Sequence, residues 1–161
     1  MLQPPRKYRM ITPQVTISGP LTPASIDFVK QTGCRKIVTI GGGFLHPDVV
    51  PHIKENQMEV VYYPFPVCSE VNEVQESLSR VHNQIQHLIK KGSRVHVVGD
   101  VSLTDIACIV GALRKTQGWS LGNILSEAID ISDGVETSDL ITAIHNFEPS
   151  PQSNPFSTEN N

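Results

Sequence analysis

At 161 residues, with 39% apolar and 18% charged positions, the chain has the length and balance of one soluble globular domain able to bury a substantial core. A formal net charge of −3 and the lack of any basic stripe give no electrostatic footing for a nucleic-acid surface or an anionic membrane. No apolar run approaches the roughly 18 residues of a membrane span, and Met1 to Met10 mixes prolines with charge where a signal segment is continuously apolar, so a cytoplasmic protein is expected.

In chain order, Pro5 to Met10 reads as an exposed segment, one possible contact surface, and Gln14 to Ser18 as a short strand closed by Gly19-Pro20. Thr22 caps a helix with Pro23 at its first position; Ile26, Phe28 and Val29 supply its apolar side and Gly33 stops it. Lys36 to Ile40 is a β-branched strand running into Gly41-Gly42-Gly43. Pro47 to Asn56 suggests a short helix, and Met58 to Tyr63 a strand broken by Pro64 and Pro66. Between Val71 and Lys91 the apolar positions Val74, Leu78, Val81, Ile85 and Leu88 mark one face of a long amphipathic helix, with Lys90 and Lys91 in its last turn and Gly92 ending it.

Val95 to Val98 is the third β-branched run, of the kind found in the centre of a parallel sheet. The next helix, Leu103 to Thr116, is so densely apolar that it must be nearly encased. Two amphipathic helices follow, Ser120 to Ile129 and Thr137 to Phe147; Pro149 to Asn161 has the composition of a disordered tail. Strands alternating with helices predict an α/β fold, a central, mostly parallel twisted sheet of 4–5 strands flanked by helices on both faces. Residues 1–148 form the expected domain, and ligand chemistry belongs where strand ends meet helix starts, at the Val98 to Leu103 turn.

Reagents for other chemistries are scarce. Cys34, Cys68 and Cys108 are odd in number and lack a Cys-x-x-Cys pairing, so buried reduced thiols are expected, with neither a disulfide framework nor a zinc site. His82 and His87 fall on different faces of one helix, and no metal or cofactor is implied. Gly41-Gly42-Gly43 lacks the following Lys-Ser/Thr of a phosphate loop and reads as a strand-ending turn. Arg114 and Lys115 read as a solvated helix face.

The run Cys108-Ile109-Val110-Gly111-Ala112-Leu113-Arg114-Lys115-Thr116-Gln117-Gly118-Trp119-Ser120, preceded by a strand and a short turn, resembles the helix that follows the phosphate loop in the plant-and-fungal atypical dual-specificity phosphatases, a family that includes the fungal oxidant-induced cell-cycle-arrest proteins. The likeness extends to Gly19-Pro20 through Phe28, Gly33 to Val38, the Phe44 to Pro47 turn, and Val135 to Asp139 with the helix to Phe147. In the family the loop reads His-Cys-x-x-Gly-x-x-Arg-Thr. The ungapped register sets Val98 at the His, Gly99 at the Cys, Ser102 at the Gly, Asp105 at the Arg and Ile106 at the Thr.

The resemblance therefore implies a cysteine-phosphatase-like fold whose phosphate loop, Val98, Gly99, Asp100, Val101, Ser102, Leu103, Thr104 and Asp105, is degenerate and contains no catalytic residue. Family members attack phosphorus with a thiolate, cradle its oxygens on helix-start amides and clamp them with Arg. Glycine has no nucleophile, Asp105 replaces attraction by repulsion, and Asp100 adds a second negative charge, so even passive phosphate binding is disfavoured. The spacing Ser102-x-x-Asp105 suggests a capping box, the Ser hydroxyl taking the Asp105 N–H and the Asp carboxylate the Ser102 N–H.

The family's general acid lies in a loop after the third strand. Here Pro64 to Glu70 is shorter and offers only Glu70, better read as an acid at a helix start, and Cys68 has no visible base or clamp to make it a nucleophile. The expected protein is a pseudophosphatase, a scaffold or regulatory subunit whose partners are other proteins, among them related phosphatase-like chains. Stress or cell-cycle signalling enters only through the resemblance. The alternative is an active phosphatase of phosphotyrosine or inositol pyrophosphates with a non-standard site, and a weaker third reading is an anion sensor, for which the loop lacks basic residues.

Overall fold

The computed structural model describes residues 2–41, 45–65, 71–100, 102–133 and 138–149. Five strands, β1 (Arg9–Thr12), β2 (Val15–Ser18), β3 (Lys36–Ile40), β4 (Glu59–Tyr63) and β5 (Val95–Val98), and six helices, α1 (Pro23–Gln31), α2 (Val49–Glu55), α3 (Val71–Lys90), α4 (Thr104–Thr116), α5 (Leu121–Ile131) and α6 (Ser138–Asn146), follow one another along the chain. The strands form one sheet in the order β1-β2-β5-β3-β4. β2, β5, β3 and β4 run parallel, and β1 is antiparallel to β2.

The parallel portion matches the sequence expectation, and helices cover both faces. On one face Val15, Ile17, Val38, Ile40, Val95 and Val97 pack with the apolar sides of α3, α4, α5 and α6. On the other, Ile37 and Val98 meet Ile26 and Val29 of α1 and Val49 and Ile53 of α2. The Leu78, Val81 and Ile85 side of α3 is the buried side, as its periodicity requires. α4 is buried from Asp105 to Leu113, the encasement its composition predicts. Its Gly111 lies against α6: a Cβ there would stand 2.7 Å from Ile144 Cγ1. Gly33 and Gly92 follow α1 and α3 with φ of 84° and 81°, the left-handed stop that glycine adopts without a Cβ penalty.

One expectation fails at the start of the chain. Pro5 to Met10 is not a free contact segment: Pro5 is buried, Arg9 and Met10 pair with Ile17 and Thr16 in β1, and the Arg6 carbonyl accepts the Gly19 N–H at 2.9 Å. Arg6 and Arg9 pair with Asp133 and Asp130, and Lys7 donates to the Asp130 carbonyl at 2.7 Å, which fastens the segment to the end of α5. Charge disguised this strand, because its side-chain partners lie more than a hundred residues away. The predicted tail, Pro149 to Asn161, lies outside the described residues from Ser150 onward.

Candidate functional site

The β5–α4 turn sits at the carboxyl end of the central strand, between β2 and β3. Parallel pairing of Ser18 with Val98 and the Gly99 N–H donated to the Ser18 carbonyl at 3.1 Å fix where the strand releases the chain. Asp100 then turns it: its Oδ1 accepts from the Ser102 N–H at 2.8 Å, the Ser102 hydroxyl at 2.7 Å and the Leu103 N–H at 3.1 Å. Loop amides of the kind that receive an anion in a phosphate loop are thus occupied by a carboxylate of the same loop. Val101 lies outside the described residues.

Leu103 precedes α4 in the left-handed conformation, φ 59° and ψ 12°, with its side chain buried against Gly19. Holding leucine there costs about 1 kcal/mol, offset by the burial of the side chain. This residue overturns the capping box. The helix begins at Thr104 with Leu103 as its cap, so Ser102 stands one residue too early and Asp105 occupies the second helical position instead of the third. The Ser102 hydroxyl accordingly approaches the Thr104 N–H, at 3.5 Å, and the Ser102 N–H goes to Asp100.

Asp105 turns inward. It is 2% exposed, its Oδ1 accepts the Ile106 N–H at 2.7 Å, and its Oδ2 has no partner among the described residues. Burial, and after it the neighbouring charge of Asp100, push its pKa up to about 7. Gly99 faces the same interior. A Cβ there would stand 2.2 Å from Ile106 Cγ1 and 2.9 Å from Asp105 Oδ1, so the space in front of Gly99 is filled by the isoleucine that follows Asp105.

No thiol replaces the missing one among the described residues. Cys108 is 3% exposed one turn deeper in α4, and burial, then Asp105, raises it to about 12, so it is protonated and shielded at neutral pH. Cys34 is buried at the opposite end of the sheet, where its Sγ donates to the Lys36 carbonyl at 3.1 Å. Both are free, as expected; Cys68 lies outside the described residues, as do Glu70, Gly42 and Gly43.

Sequence reasoning missed a buried polar group beside the turn. His96, in the middle of β5, is fully buried between Thr16 and Ser18 of β2, with Nδ1 2.8 Å from Thr16 Oγ1 and Nε2 2.8 Å from Ser18 Oγ. The Ser18 hydroxyl donates to the Gly19 carbonyl, so it accepts from Nε2–H and leaves Nδ1 to accept from Thr16. Burial lowers the imidazole to about 3, and it stays neutral. The alternation Thr16, Ser18 on β2 was the available signal, but only the strand order brings it to His96.

Arg114 and Lys115 are also not the solvated face that was expected. The Arg114 guanidinium grips Glu127 through Nε at 2.8 Å and Nη2 at 3.0 Å, donates to the Ile11 carbonyl at 3.0 Å and lies 3.9 Å from the Trp119 ring centroid. Lys115 donates to the Ile144 and His145 carbonyls near the end of α6, at 3.2 and 2.6 Å. Both residues fasten α4 to its neighbours. His82 is buried beside Phe147, its Nε2 3.0 Å from the Thr116 hydroxyl, while His87 is exposed, which separates them as the spacing implied.

No family model and no curated protein sequence matches the chain. Solved structures do. The catalytic core of the PP-IP phosphatase Siw14 from S. cerevisiae, in complex with citrate, superposes with a TM-score of 0.75 over 92% of this chain and 89% of that one, at 14% identity. The fold is that of a tyrosine and dual-specificity phosphatase. Tk-PTP in its active form gives a TM-score of 0.65 at 20% identity, over 86% of this chain and 93% of that one. TpbA of P. aeruginosa, in complex with pTyr, gives 0.63 at 15% identity, over 87% and 81%. Among the described residues, no helix is long and apolar enough to cross a membrane.

Proposed function

We propose that this chain is a catalytically inactive phosphatase-like protein, a cytoplasmic scaffold or regulatory subunit that acts by binding other proteins, including related phosphatase-like chains. The observation that carries the reading is the filled interior of the β5–α4 turn, where a side chain on Gly99 would meet Ile106 Cγ1 at 2.2 Å. The position that the family resemblance aligns with the nucleophile therefore has neither a sulfur nor room for one. Asp105, at the position aligned with the phosphate-gripping Arg, is a buried acid, and the Asp100 carboxylate already occupies the Ser102 and Leu103 amides. An incoming phosphate would have to displace one carboxylate and approach another without a guanidinium to hold it.

Phosphate release from a phosphotyrosine peptide and from an inositol pyrophosphate tests the reading, with expected release no greater than that of a heat-killed sample. Saturable turnover that persists after Cys34, Cys68 and Cys108 are all replaced would instead establish the alternative, a phosphatase with a non-standard nucleophile. The likeness to the PP-IP phosphatase core is the observation on that alternative's side. Affinity purification from the source organism then identifies the partners.

A further inference from the structure

We propose that the outer edge of β4 is a two-fold interface through which two copies of this chain pair antiparallel about Val61. β4 ends the sheet, and among the described residues no strand pairs with its outer side. The Glu59 N–H donates to the Arg35 carbonyl at 2.9 Å, and the Gly41 N–H to the Tyr63 carbonyl at 3.2 Å. A parallel ladder uses every second residue of a strand, so Glu59, Val61 and Tyr63 aim their backbone groups at β3 while Val60 and Tyr62 aim theirs outward. Their side chains are exposed as well, Val60 at 42% and Tyr62 at 56%.

That spacing is self-complementary. Turned about Val61, a second copy sets its Tyr62 opposite Val60 and its Val60 opposite Tyr62, and each pair exchanges both N–H···O=C bonds. The facing side chains are then an aromatic and a β-branched residue, a favourable cross-strand combination. The Tyr62 hydroxyl already donates to the Gly41 carbonyl at 2.8 Å, which fixes the ring before a partner arrives. Moving the register by one repeat toward the C-terminus would set Val60 against Pro64, which has no N–H, and moving it the other way runs off the strand.

The flanking charge does not oppose this axis. α3 is the crossover between parallel β4 and β5 and runs antiparallel to both. Glu73, Glu76 and Arg80 of this helix line a groove of about 410 Å³ beside Tyr62, Pro64 and Phe65, at the carboxyl end of β4. The two-fold reverses α3 in the second copy and carries the two grooves to opposite ends of the paired strands, so like charges of the grooves are not set against each other. Glu59, paired with Lys36 at 3.2 Å, falls opposite Tyr63 and not opposite its own copy. The interface does not involve the β5–α4 turn, so it stands whether or not that turn is catalytically inert.

Light scattering of the full chain after size exclusion tests this, with circular dichroism to verify folding. At ~100 µM the mass expected is twice the 17.7 kDa of one chain. V60K/Y62K sets lysine opposite lysine and is expected to raise the dimer dissociation constant at least about tenfold, whereas V60K/Y62E sets lysine opposite glutamate and is expected to keep the dimer. Both variants lose the same apolar surface and the same Tyr62 hydroxyl, so their difference reads the register alone. A wild-type chain that remains single, or two variants that behave alike, overturns the proposal.

Discussion

Asp105 and His96 are both buried ionisable groups, and their effects on stability have opposite signs. Asp105, held at about 7 against an ordinary 3.8, binds its proton in the folded state where the unfolded chain has released it. Its contribution is therefore lost as pH rises between those values, a penalty on the order of 4 kcal/mol by pH 8. His96, held at about 3 against 6.5, refuses a proton the unfolded chain accepts, so stability falls as pH drops through that window. The two slopes oppose each other where the windows overlap. Asp105→Asn is expected to stabilise the protein by about 2 kcal/mol at pH 8, less than the full penalty because the amide nitrogen inherits an unpartnered position. Near pH 4, where almost none of that penalty applies, the same amide cost should leave the variant about 2 kcal/mol less stable than the wild type, and the histidine slope is then unopposed, which urea midpoints across that range would register. Gly99 makes a second residue-scale prediction: Gly99→Ala should cost about 2 kcal/mol by overpacking against Ile106. Combined with Ile106→Ala, it should cost at least about 1 kcal/mol less than the sum of the single changes. Purely additive denaturation energies would show that the two positions do not share that space.

Among the elements, α4 carries the site on one end and a structural clamp on the other. Arg114 and Glu127 are only 11% and 12% exposed, and the guanidinium also reaches β1 through the Ile11 carbonyl. Arg114→Ala strands the Glu127 carboxylate and should destabilise by about 3 kcal/mol, with Arg114→Lys retaining part of that because a single ammonium cannot reproduce the fork. Trp119 is the chain's one tryptophan, so loss of the stacked cation should also shift its fluorescence. An unchanged midpoint would mean that the contact is ornamental. The helices themselves were legible, because 3.6-residue periodicity in α3 and the apolar density of α4 are properties of contiguous residues. Arg114's role was not. On a helix face an arginine looks the same whether water or Glu127 receives it, and the choice depends on where α5 lies. β1 escaped for a similar reason, since its Arg9 and the Arg6 before it find Asp130 and Asp133 more than a hundred residues away.

For the whole molecule, the sheet order places the β5–α4 turn at the carboxyl end of the central strand, where an open α/β sheet offers a ligand crevice, and the turn supplies its own anion. Inorganic phosphate at ~10 mM is therefore expected to leave the unfolding midpoint unchanged, although a site with a dissociation constant of ~0.1 mM would add about 2.7 kcal/mol. A phosphate-dependent rise in melting temperature would show that Asp100 yields its amides.

The sequence by itself determined which segments become the helices and the four parallel strands, that the sheet is mostly parallel, and which charges the loop carries. Each of these follows from side-chain chemistry and short-range spacing. Only the tertiary structure decided that Asp100 and not Ser102 holds the loop amides, that Ile106 fills the space before Gly99, and that His96 is satisfied from β2. Those outcomes depend on a left-handed turn at Leu103 and on contacts between strands distant in sequence, and such contacts exist only once the sheet has been assembled.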